Sequence, residues 1–127
     1  MSAEEVKSMM YVQTHGVDEP GKTATPFFLA AAAAAMDIEA AIYFTMNGAT
    51  LLERGVAEEL MIKRGEGGQS LRFFMDQALE LDVKFYVCQP SLDLHDLTME
   101  DLIDGVEMIG GAAFNDMALD ADAVITF

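Results

Sequence analysis

A single cysteine, Cys88, stands among the 127 residues, which excludes an intramolecular disulfide framework and a multi-cysteine metal site and fits a reducing cytosol. Basic residues are scarce as well. Seven Lys and Arg against 22 Asp and Glu leave a formal charge of −15, so the chain repels phosphates and is read as a partner of neither nucleic acid nor anionic membranes. No Lys or Arg lies beyond Lys84, whereas nine carboxylates follow between Asp93 and Asp122. Long apolar runs are missing too: the longest, Pro26 to Met36, has 11 residues against the roughly 20 that span a bilayer. It also lacks the basic flank and leading position of a signal peptide, so the expected location is the cytoplasm.

What the chain does have is apolar substance. With 52% hydrophobic residues, ten Met and eight Phe, it has the surface to bury that disordered acidic segments lack. Its length suits one domain over residues 1–127 around one core. Some apolar surface is expected to remain once that core is filled, which points to an oligomer.

The pattern alternates strands and helices. Val6 to Gln13 reads as a strand, Thr23 or Thr25 opens an alanine-rich helix through Met36, and Glu39 to Thr45 reads as a second strand. Ala49 to Arg54 and Val56 to Lys63 look helical on either side of Gly55. After the glycine-rich turn from Arg64, Ser70 opens an amphipathic helix to Leu81, followed by a third strand, Val83 to Cys88. Gln89-Pro90-Ser91 reads as a break, and Thr98 to Gly105 as a helix. A strand at Val106 to Ile109, a helix from Ala113 to Leu119 and a strand from Ala123 to Phe127 complete the chain. The expected fold is α/β: three α/β/α layers around a five-stranded parallel sheet in the flavodoxin-like order 2-1-3-4-5.

In such sheets ligands bind beyond the carboxyl ends of the strands. That rule selects Thr14, His15 and Gly16 after the first strand, Thr45, Met46, Asn47 and Gly48 after the second, and Cys88, Gln89 and Pro90 after the third. The expected order makes the first and third strands neighbours, which would bring His15 beside Cys88. His95, seven residues beyond Cys88, is a second partner, and either histidine would favour the thiolate. Asp93 and Asp96 in the same stretch would oppose it.

Gly16 to Thr23 also satisfies the phosphate-loop pattern G-x-x-x-x-G-K-[ST], although Pro20 has no N–H to offer and Asp18 and Glu19 place negative charge where phosphates would lie. The carboxylates Asp93, Asp96, Glu100, Asp101 and Asp104 have no calcium-loop spacing and read as a solvated helix start, so neither metal nor cofactor is expected.

Several of these segments in order resemble one family: Thr14-His15-Gly16 with Asp18-Glu19-Pro20, Phe44 to Gly48 followed by Leu51-Leu52, Cys88 after the third strand, Asp101 to Gly105, and Ala121 to Phe127. The chain resembles the DsrE-like (DsrE/DsrF/DsrH) family over nearly its whole length. The resemblance implies a five-stranded parallel fold, trimers or hexamers, and a sulfur-relay role in which Cys88 carries a persulfide and passes sulfur to a partner protein. Thiol exchange needs a thiolate more than an elaborate general base, so a sparse site suits that chemistry. Two other readings stand beside it: a non-catalytic oligomeric module that binds a small ligand or partner around a structural Cys88, and nucleotide binding by Gly16 to Thr23.

Overall fold

The computed structural model describes residues 6–127. Five strands form a parallel sheet: β1 (Ser8–Gln13), β2 (Glu39–Phe44), β5 (Lys84–Val87), β6 (Val106–Met108) and β7 (Ala123–Thr126). A separate hairpin joins β3 (Met61–Lys63) to β4 (Gln69–Ser70). The helices are α1 (Ala24–Ala35), α2 (Val56–Glu59), α3 (Leu71–Glu80), α4 (Gln89–Leu94) and α5 (Gly111–Asp120).

The strand order is β6-β5-β2-β1-β7, which corrects the expected 2-1-3-4-5. β7, not β5, takes the place beside β1. The reason lies in the helices. Phe27, Ala30 and Ala33 of α1 share one buried cluster with Leu71, Met75 and Ala78 of α3, so both helices lie on the same face. Right-handed crossovers on one face carry successive strands in one direction, from β1 through β2 to β5 and β6. The connection from β6 back to β7 runs the other way, and the same handedness sends α5 to the opposite face.

The two faces are unequal. The larger core holds Phe27, Phe44 and Phe85, each at most 1% exposed, with ring centroids 5.2 to 5.7 Å apart. Such pairs add about 0.5 to 1.5 kcal/mol each beyond their burial. The alanines of α1 let its backbone approach the sheet closely. On the other face Met10, Val12, Tyr43 and Cys88 are covered by Phe114, Met117 and Ala118 of α5, with Tyr43 and Phe114 ring centroids 4.4 Å apart.

Three helices end alike. Asp37, Asp82 and Asp96 follow α1, α3 and α4 in the left-handed region, at φ of 63°, 62° and 53°. In each case the next residue, Ile38, Val83 or Leu97, returns its N–H to the helix, to Ala33, Ala78 or Leu92. This is the Schellman closure with Asp in the position glycine usually holds.

Three local expectations change. The segment expected to be two helices around Gly55 is a 3₁₀ stretch, Met46–Leu52, then the single turn α2, then β3, because Gly55 at φ 87° interrupts the helix and the turn with Gly65 and Gly67, both at positive φ, folds β3 onto β4. The helix expected from Thr98 is a 3₁₀ turn, Met99–Asp101, closed by a reciprocal Thr98–Asp101 capping box. Conversely, Gln89-Pro90-Ser91 starts α4 rather than breaking the chain, with Pro90 in the first turn, where its missing N–H costs nothing. Phe44→Ala is expected to lower the unfolding free energy by about 3 to 5 kcal/mol in chemical denaturation, the usual cost of emptying a buried aromatic site.

Candidate functional site

The loops after β5 and β6 leave the sheet toward opposite faces, since Leu92 of α4 joins the large core and α5 covers the other side. Diverging loops open a crevice at the carboxyl ends of the strands. An open cleft of about 580 Å³ lies there, floored by Tyr43, Thr45 and Cys88 and walled by Met46, Pro90, Leu94 and the turn from Met108 to Gly111. Among the described residues no Lys or Arg lines it.

Cys88 is 8% exposed. Its Sγ lies 2.9 Å from Ser91 Oγ and 3.5 Å from Thr45 Oγ1. The thiol is held below its ordinary value. Burial, the largest single influence, pushes it up, and hydrogen bonds from Ser91, Thr45 and Tyr43, with the Ser91 backbone N–H, outweigh that. Tyr43 is pushed up in turn, first by burial and then by its bond to Cys88, so it stays a proton donor. Among the described residues no carboxylate contributes to the thiol's shift. Asp93 instead accepts a hydrogen bond from Gln89 Nε2 at 2.7 Å.

Met46, directly after β2, has φ of 53°, a left-handed conformation that costs a non-glycine residue on the order of 1 kcal/mol or more. Two contacts hold it there. Its N–H donates to Ser91 Oγ at 2.7 Å, and its carbonyl lies 3.1 Å from His95 Nε2, which donates as the ring N–H.

Of the residues selected from the sequence, Thr45, Met46, Cys88, Gln89 and Pro90 line the cleft. His95 lies behind it on the Met46 carbonyl, and is not among the groups that act on the thiol. His15 does not reach Cys88, because β2 separates β1 from β5. The Thr14 hydroxyl donates to the Phe127 carbonyl beyond β7, so it can only accept from His15 Nδ1, 3.3 Å away. Asn47 donates to Asp18 at 3.2 Å. Gly16 and Gly48 serve close approach: a Cβ on Gly16 would fall on the Asn47 carbonyl, and one on Gly48 on the Gln13 carbonyl, so these two loops interlock only as glycine. Tyr43 and Ser91 complete the site without having stood out as site residues in the sequence. Ser91 had a signal, the i, i+3 spacing of Cys88-x-x-Ser91, hidden by reading Pro90 as a break.

The phosphate-loop motif folds into something else. Its centre is a 3₁₀ turn, Pro20–Lys22, the Lys22 ammonium pairs with Glu19 at 3.1 Å, and the buried Thr23 hydroxyl donates to the Pro20 carbonyl at 2.7 Å. The lysine and hydroxyl that would meet a phosphate are both engaged within the loop.

Residues 7–127 match the DsrE/DsrF-like family, nearly the whole chain and every element of the fold. The chain belongs to that family. Among curated relatives it is similar to the sulfur carrier protein DsrE2 of Allochromatium vinosum, 27% identical over 76% of this chain and 84% of that one. Among solved structures this family member shares its fold with the ychN protein of E. coli, at a TM-score of 0.74 and 19% identity over 97% of this chain and all of that one. A protein of unknown function from Methanobacterium thermoautotrophicum has the same fold at a TM-score of 0.62 and 11% identity, over 97% of this chain and 100% of its own. Among the described residues no helix is long and apolar enough to cross a membrane. Because Lys22 and Thr23 are engaged, millimolar ATP or GTP is expected to leave the melting temperature unchanged; a rise abolished by Lys22→Ala would establish the phosphate loop.

Proposed function

We propose that this protein is a cytoplasmic sulfur carrier in which Cys88 takes up sulfane sulfur as a persulfide and hands it to a partner protein. The observation that carries the reading is the thiol itself, at the floor of an open cleft and held below its ordinary value by neutral hydroxyl donors. The similarity to a sulfur carrier protein supports it.

The step needs no oxidant. The Cys88 thiolate attacks the outer sulfur of a donor persulfide, a new sulfur–sulfur bond forms on Cys88 as the donor's own breaks, and the donor leaves as a thiolate. A thiolate of the acceptor then attacks the outer sulfur on Cys88 and releases the Cys88 thiolate unchanged. A lining without Lys or Arg offers no counter-charge to a small anion, so the donor class is a persulfide carried by a protein or an uncharged small molecule rather than thiosulfate. Incubation with a persulfide donor is expected to raise the intact mass by one sulfur atom, reversibly with a thiol acceptor. An unmodified mass, or uptake undiminished in Cys88→Ser, would dispose of the reading.

The proposal extends to a trimer or hexamer of this chain. The edge strand β7 exposes Val124 and Ile125 and α5 exposes Leu119, at 42%, 38% and 83%. Apolar groups gathered at a sheet edge call for a cover. Light scattering is expected to return three or six chain masses; a monomer mass would refute the assembly.

A further inference from the structure

Ser91 is 4% exposed and sits where three groups meet. Behind its hydroxyl oxygen is the Met46 N–H at 2.7 Å, in front is the Cys88 sulfur at 2.9 Å, and to one side is Thr45 Oγ1 at 3.3 Å. A serine hydroxyl has one proton to give. The Met46 N–H can only donate, so it takes one lone pair of Ser91 and leaves that proton for the sulfur or for Thr45, of which the sulfur is nearer. Met46 in turn keeps its left-handed turn with His95 on its carbonyl.

We propose that Ser91 is the positioning residue that holds the Cys88 sulfur in its ionised, attacking form, with its hydroxyl aimed by the Met46 amide and that amide set by His95. The assignment deepens the sulfur-carrier reading and takes its purpose from it. Hydrogen bonds to a charged acceptor are about twice as strong as neutral ones, so a donor locked in place favours the thiolate over the thiol.

The other groups around the sulfur do not supply this role. Tyr43 and Thr45 add donors from β2 and its end, and Thr45 at 3.5 Å is the longer contact. From β6 the ionisable group is Glu107, whose charge bears on Tyr86. The apolar Phe114, Met117 and Ala118 come from α5. On α4 Asp93 is taken by Gln89, and the neighbouring imidazole of His95 is on the Met46 carbonyl. The groups that favour the thiolate are thus dipoles rather than a counter-charge.

The test is the pH titration of the Cys88 thiolate by its ultraviolet absorbance, read as the difference from Cys88→Ser. Ser91→Ala is expected to move the midpoint to higher pH and to cut the thiolate fraction at neutral pH about tenfold, the loss of one hydrogen bond to a charged group. Ser91→Thr, which keeps the hydroxyl, restores the wild-type midpoint, and His95→Ala moves it part of the way that Ser91→Ala does. A folded Ser91→Ala with an unmoved midpoint overturns the proposal. Should the alanine variant not fold, Ser91→Gly removes the same hydroxyl by a second route, and its midpoint is expected to rise as far; an unmoved one overturns the proposal equally. Sulfur uptake by the wild type with an unmoved Ser91→Ala midpoint overturns the Ser91 assignment alone. A Ser91-dependent midpoint in a protein that takes up no sulfur overturns the carrier reading alone.

Discussion

One-handed crossing of the sheet governs the rest of this structure. With α1 and α3 sharing a face, the chain lays β1, β2, β5 and β6 side by side, and the only way back to the free edge beside β1 is across the other face. That reversal separates the loops after β5 and β6 and opens the cleft that Cys88 floors. Had β5 crossed to the far side of β1, the cysteine would lie beside His15 and the site would have a base within reach. Instead, hydroxyl donors surround the sulfur.

The unequal faces follow from the same route. Two long helices and three interlocked phenylalanines anchor one side, while α5 alone spans the other. Tyr43 belongs to both tasks on that thinner side, packing its ring on Phe114 and helping to hold the Cys88 thiol below its ordinary value. Packing and chemistry are therefore coupled through one residue, and a loosened α5 would be felt at the sulfur.

The electrostatics invert the simplest expectation from composition. A chain with a formal charge of −15 ought to suppress a thiolate, yet the thiol lies below its ordinary value. Net charge acts over long, screened distances, whereas the Ser91 and Thr45 hydroxyls act at contact. Among the described residues no carboxylate of the acidic segment beyond the cysteine is among the groups that shift the thiol.

Periodicity, turn residues and a unique cysteine are local signals that survive without a fold, and they were enough for the α/β class, the five strand positions, and Cys88 at the end of the third sheet strand. The family likeness was legible in the same way, and the match over residues 7–127 shows it. The three helix ends with aspartate at positive φ were not, because glycine is the usual marker of that conformation. Strand order, the separation of His15 from Cys88 and the Ser91–Met46–His95 arrangement emerge only once the chain is packed. Each depends on which face a helix takes, and that is settled by the mutual fit of α1 and α3, a contact between residues about 45 apart in sequence that no local pattern encodes.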